Sequence, residues 1–210
     1  MALPVLVMGR SGSGKTTSLR NFDEKLLVVN VAKKSLPFKR KENIIVVDED
    51  DYLKIRSYLA KAVERGYNSV VIDDAGYLMT NKFMAGHRGS KGNSTFDLYN
   101  EIADNFYSLI TYITNDLPKE LIVYIIMHED MNDMGYVKPK TIGRLLDEKV
   151  CIEGLFTIVL HALKNDGKYV FATNTDGLDV TKTPLGMFDS EYIENDLSMV
   201  DKTIREFYKE

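Results

Sequence analysis

Gly9-Arg10-Ser11-Gly12-Ser13-Gly14-Lys15-Thr16 follows the apolar run Leu3 to Met8 and precedes Thr17-Ser18-Leu19. It fits G-x-x-x-x-G-K-[ST], the pattern of a phosphate-binding P-loop. Glycines at these positions let the backbone turn tightly and aim its N–H groups at a polyphosphate. Lys15 supplies a point charge for the β- and γ-phosphates and Thr16 a hydroxyl for Mg2+. The helix expected to begin there turns its positive end toward the same anion. Residues 9–17 are therefore the expected ATP-binding segment. A second apolar run, Ser69 to Ile72, ends in Asp73-Asp74. An aspartate at the tip of a buried strand opposite the loop holds the metal's water shell, so Thr16 and Asp73 are the expected metal contacts.

The surrounding chain suits such a site. Its 210 residues, 44 % of them hydrophobic, are enough for one α/β domain over 1–210 with a proper core. A net charge of −4 excludes a general polyanion binder, so any nucleic-acid contact must come from a local patch. Cys151 is the only cysteine, which rules out an internal disulfide, fits a reducing compartment and reads as a small core residue. No leader precedes the P-loop strand, and the longest apolar run, Leu121 to Met127, is too short to span a bilayer. The expectation is a soluble cytoplasmic protein without a membrane partner.

Taken in order, the chain alternates strand and helix patterns. A short helix should carry Leu19 and Phe22 and end near Asp23, followed by a strand from Leu26 to Val31. Residues 32–41 are densely basic, and Pro37 argues for a loop. Ile44 to Val47 is a further strand. Asp48 to Asp51 can cap the next helix, which presents Tyr52, Ile55, Leu59, Ala62 and Val63 on one face and stops at Gly66. Asn81 to Thr95 holds Lys82, Arg88 and Lys91 among three glycines and reads as a basic loop, either a solvated linker or a DNA contact. Ser94 to Asp97 fits a capping box opening a long helix with Ile102, Phe106, Ile110 and Ile113 on its buried stripe. Leu121 to Met127 is a strand buried on both faces, ending in His128-Glu129. The long connection from Met131 to Lys149, with Tyr136, Lys138, Lys140 and Arg144, is a second candidate DNA surface. Asn165-Asp166-Gly167 between two strand patterns predicts a late antiparallel hairpin. A last helix should bear Ile193, Leu197, Val200, Ile204 and Phe207.

This order of parts, with the motifs at 9–17, 70–74, 126–129 and Lys182-Thr183-Pro184-Leu185-Gly186, resembles the phage-encoded, core-only relatives of RecA, described as single-strand annealing or recombination ATPases. The resemblance runs from Gly9 to about Gly186. It implies a P-loop NTPase with a RecA-like core: a mostly parallel sheet, helices on both faces, and MgATP hydrolysis in a ring or filament on single-stranded DNA. Lys182 matches the family's finger position, which reaches a neighbouring subunit's γ-phosphate. Pro184 stands where an arginine often does. The place of the family's catalytic glutamate reads Val31-Ala32-Lys33-Lys34, so the water-orienting carboxylate is Asp74 or Glu129, with His128 as the γ-phosphate sensor. Slow hydrolysis follows. Lys15, Asp74, His128, Glu129 and Lys182 are the expected catalytic residues. A small-molecule kinase and a nucleotide-gated loader or switch are the alternatives, distinguished by an acceptor requirement and by partner dependence.

Overall fold

Apolar runs without alternation belong where both faces of a strand are covered, and they occupy that place here. The computed structural model describes residues 1–209. Its strands are β1 (Leu3–Gly9), β2 (Leu26–Asn30), β3 (Ile44–Asp48), β4 (Ser69–Asp73), β5 (Ile122–Met131), β6 (Val137–Pro139), β7 (Ile158–Asn165), β8 (Lys168–Ala172) and β9 (Tyr192–Glu194). The α-helices are α1 (Tyr52–Ala60), α2 (Gly76–Gly86), α3 (Asn93–Asp116) and α4 (Leu197–Phe207). The sheet runs β3-β2-β4-β5-β1-β7-β8-β9, with β6 against the end of β5. The pairings from β3 to β7 along this order are parallel; those of β5 with β6, β7 with β8 and β8 with β9 are antiparallel. The chain thus has an α/β P-loop NTPase fold.

Strand pleating divides the core in two. Leu6 and Met8 of β1 pack with Ile55, Leu59, Ile102 and Phe106 under α1 and α3. Val5 and Val7 face the other way, toward Leu19, Phe22, Leu197, Val200 and Ile204. The parallel strands end together, which gathers polar residues at one rim. Gly9 lies opposite His128, Asn30 opposite both Asp48 and Asp73, and Met8 opposite His161. Crevices outside the carboxyl ends of such strands are where α/β folds bind ligands.

Several expected elements differ. The helix after the P-loop is a 3₁₀ turn over Thr16–Asn21. The basic loop expected from Asn81 is largely helix, because Leu78 and Met79 are buried and Phe83 packs beside them. Gly86 belongs to α2, where an added Cβ would press on Leu98 of α3 at 2.8 Å. The capping box does not form: Gly92 precedes α3, and Ser94 instead bonds the backbone of Lys91. The 131–149 connection is folded, with β6 returning along β5 and a wide helical turn at Leu145–Lys149. Ile193 sits in β9 rather than in the last helix, which Asp196 caps through the Ser198 amide at 2.9 Å. Cys151 is exposed. The hairpin forms as expected, with Asp166 (φ 47°) and Gly167 (φ 81°) in the left-handed region that a two-residue turn of this kind requires.

Candidate nucleotide site

The P-loop is shaped by what its glycines permit. Gly12 (φ 78°) and Gly14 (φ 92°) occupy the left-handed region. A Cβ on Gly9 would fall 2.4 Å from the Ala162 carbonyl oxygen. Lys15 is buried, and its Nζ donates to the carbonyls of Gly9 and Arg10, both at 2.7 Å. Burial pushes the Lys15 ammonium pKa down, against the pull of Asp74, Asp73 and Glu129. Because a 3₁₀ turn follows, loop N–H groups and Lys15 carry most of the attraction for phosphate.

Thr16 Oγ1 donates to both Asp73 carboxylate oxygens, at 2.9 and 3.1 Å. Burial, then the charge of Asp74, raises the Asp73 carboxyl to about 6. A carboxylate so disfavoured as a bare anion, beside a hydroxyl, suits a hard divalent cation. Among the described residues no cluster of three or more His, Cys, Asp or Glu is built to hold a metal, so nucleotide phosphates would complete the shell. The residues fit a hard divalent cation carried in with a nucleotide's phosphates.

Asp74 (φ 56°) lines the cleft with Ser11, Gly12 and Gly14 of the loop. Lys34 Nζ donates to one oxygen at 2.7 Å and His128 Nε2 stands 3.4 Å from the other. Burial alone would raise this carboxyl, but His128 and then Lys34 hold it at about 2. The hydrogen bond to Asp74 raises the Lys34 pKa. Asp74, His128, Lys34, Lys15 and Thr16 share one cleft of about 180 Å³.

Glu129 is placed differently. Arg10 Nε donates to it at 3.0 Å, and His161 Nε2 meets its second oxygen at 2.7 Å. His161 Nδ1 continues to Asp179 at 2.8 Å. Burial works against a charged His161, yet Asp179 and Glu129 raise it to about 9. Burial likewise opposes the two carboxylates, which His161 pulls down, Asp179 to about 2. Both Glu129 oxygens are thus engaged, by Arg10 and by His161, whereas Asp74 lines the cleft.

A family model described as an AAA domain matches residues 1–185. The chain belongs to the AAA-domain family. No curated protein shows a significant sequence match to it. AAA domains are nucleotide-binding P-loop ATPases, usually working with Mg2+, and the matched span of this AAA domain covers β1 to β8 with the entire P-loop.

The remaining candidates of the AAA domain scatter. Lys82 lies on α2 and pairs with Glu101 at 2.6 Å, leaving Arg88 and Lys91 in the short connection to α3. Tyr136 precedes β6, Lys138 donates to the Asp147 carbonyl at 2.7 Å, and Arg144 is exposed beside Glu148. Lys140 belongs with the nucleotide site, lining a neighbouring cavity of about 570 Å³ with Lys34, Tyr77, His128 and Glu129. Lys182 pairs through its backbone with Val159 on the β8 side of β7, exposed and outside the cleft. Sequence reasoning missed Lys34, His161 and Asp179. For Lys34 a signal existed: it follows the end of β2, which adjoins the Asp73 strand. His161 and Asp179 had none, since only the sheet register brings them to the loop.

Proposed function

We propose that this AAA domain hydrolyses MgATP, with Asp74 orienting the attacking water, and that turnover is coupled to single-stranded DNA in a homo-oligomer. The observation carrying this reading is the grouping of Lys15, the Thr16–Asp73 pair and the Asp74–His128 pair around one cleft. Lys15 leaves its carbonyl partners to grip the β- and γ-phosphates. Thr16 and Asp73 would hold Mg2+, which supplies charge neutralisation on the phosphates when bound. A carboxyl held at about 2 is a poor proton acceptor, so Asp74 orients water rather than deprotonating it. The loose phosphoryl-transfer transition state needs little more than that. His128, on the same carboxylate, registers the γ-phosphate. Slow basal turnover follows.

Coupling to DNA rests on α2, which starts two residues after Asp74 and ends at the connection bearing Arg88 and Lys91. The likeness to phage-encoded, RecA-like recombination ATPases supports the same choice. Lys182, remote from its own cleft, would serve a neighbour. Steady-state ATP hydrolysis with and without single-stranded DNA, at low salt and several protein concentrations, tests this. DNA stimulation with a per-subunit rate that rises with concentration is expected. A flat, DNA-blind rate would reject the coupling and turn attention to a phosphate acceptor or a protein partner.

A further inference from the structure

Gly12, Gly14 and Thr17 border two cavities. One is the phosphate-end cleft described above. The other, about 930 Å³, runs between the 3₁₀ turn and the β8–β9 edge, past Arg20, Tyr169, Ile193 and Asn195. That volume lies within the roughly 300–1,000 Å³ typical of small-molecule sites. A nucleoside triphosphate is a linear ligand, anionic at one end and flat and aromatic at the other. The first cavity is lined by Lys15, Lys34 and the Thr16 hydroxyl; the second offers the rings of Tyr169 and Tyr192, the Ile193 side chain and the Asn195 amide, with Arg20, Lys168 and Glu194 also lining it.

We propose that the groove between the 3₁₀ turn and β8–β9 is a nucleoside-binding subsite, with Tyr169 stacking on the base and Asn195 donating a hydrogen bond where the sugar joins the phosphates. This rests on the reading that residues 9–17 bind a nucleotide, and adds what lies at its far end. Asn195 is only 2 % exposed, and its side-chain nitrogen has no hydrogen-bond partner among the described residues. A buried donor of this kind lacks an acceptor that a ligand can bring. The amide stands against Gly14: an added Cβ there would come 3.0 Å from its oxygen and 3.3 Å from its nitrogen. Asn195 is also held firmly. Arg20 Nη1 donates to its carbonyl at 2.8 Å and to that of Thr17 at 3.2 Å, while Asn21 bonds Asp196 at 2.7 Å.

Sheet register places the ring. Phe171 of β8 pairs with Ile193 of β9, so the two-residue pleat sets Tyr169 on the Phe171 face and Asn195 on the Ile193 face. Phe171 and Ile193 pack with Leu19 and Phe22, hence that face looks toward the 3₁₀ turn. The Tyr169 ring is half exposed, with the Lys164 ammonium 5.6 Å from its centroid. Ile193 and Asn195 lie beyond the span matched by the family model. Nothing in that match assigns the groove.

Competition binding against a fluorescent ATP analogue, using the full chain, separates the two ends. ATP should bind wild type more tightly than inorganic tripolyphosphate does. Tyr169→Ala should weaken ATP about tenfold, the size of a lost base stack, and leave tripolyphosphate unaffected. Tyr169→Trp should restore ATP affinity. Being half exposed, Tyr169 can be changed without opening the core. If Tyr169→Ala leaves ATP affinity unchanged, or weakens ATP and tripolyphosphate alike, the subsite is overturned while the phosphate site stands. If Lys15→Ala leaves both affinities intact, the nucleotide reading itself falls and the subsite with it.

Discussion

Asp74 and Glu129 are both carboxylates at one rim of the sheet, and their neighbours give them different work. Asp74 faces the cleft with one oxygen on Lys34 and the other near His128, whereas Glu129 is spent on Arg10 and His161. Asp74→Asn keeps the shape and removes the charge proposed to align water. Its kcat should fall on the order of 10²–10⁴-fold with ATP affinity little changed, as single-turnover kinetics and equilibrium titration would show. Equal loss for Glu129→Gln and none for Asp74→Asn would reverse the assignment. His161 makes a prediction about stability. Its folded pKa, about 9, stands above the ordinary value near 6.5, so its contribution is complete below about 6.5 and is lost as pH rises through 9. Glu129 and Asp179 act in the opposite sense, losing their contribution as pH falls below the ordinary carboxylate range. Thermal melts of wild type should decline from pH 7 to 10, and His161→Gln should lack that slope while being less stable near pH 6 by on the order of 3 kcal/mol. Parallel slopes would exclude His161 as the titrating group. The P-loop and Asp73 were legible because their chemistry is written in consecutive residues. The Arg10–Glu129–His161–Asp179 chain was not, since it spans 169 residues and exists only through strand register.

At the scale of elements, apolar runs and the Asn165-Asp166-Gly167 turn could be read directly, because each encodes its geometry locally. The beginning and end of α2 could not. Gly86 looked like loop punctuation and is instead the place where α2 crosses closely over Leu98. β9 is three residues long, and Ile193 sits at helical spacing from Leu197, so the helix pattern absorbed it. What anchors α4 is polar and equally hidden in the sequence. Asp201 accepts from Ser69 Oγ at 2.6 Å, from the buried Tyr124 hydroxyl at 2.9 Å and from Arg205 Nε at 2.8 Å. Contact with Asp201 and burial push the Tyr124 hydroxyl well above its ordinary range, burial being the larger effect. Asp201→Ala removes the acceptor of the buried Tyr124 and Ser69 hydroxyls, while Arg205 keeps its bonds to Glu120, Asn68 and Ser69, and should cost about 2–4 kcal/mol in urea unfolding. Asp201→Asn keeps an acceptor oxygen and should cost less. A cost below about 1 kcal/mol for Asp201→Ala would mean that apolar contacts alone fasten the helix.

On the scale of the whole molecule, three cations near the phosphate end are already engaged within one chain, while Lys140 lines the adjoining cavity. Lys15 is on backbone carbonyls, Lys34 on Asp74 and Arg10 on Glu129. In the proposed mechanism Lys15 is released when phosphate replaces its carbonyl partners, but the other two leave only by breaking ion pairs. A further positive charge for the γ-phosphate then comes either from Lys140 or from outside the chain, the second being the role proposed for Lys182 of a second copy. Its backbone bond to Val159 places it level with Leu6, three residues short of Gly9 along the neighbouring β1, which keeps it from its own cleft. Lys15→Ala subunits cannot hold ATP productively but can lend Lys182; Lys182→Ala subunits hold ATP but cannot lend the lysine. Each variant alone should be inactive or nearly so. Mixed together with single-stranded DNA, they should regain part of the wild-type rate, and the regained rate should rise with total protein because the active unit is an interface. Turnover in the mixture equal to the sum of the separate variants, at every concentration, would confine Lys182 to its own chain and remove the shared site.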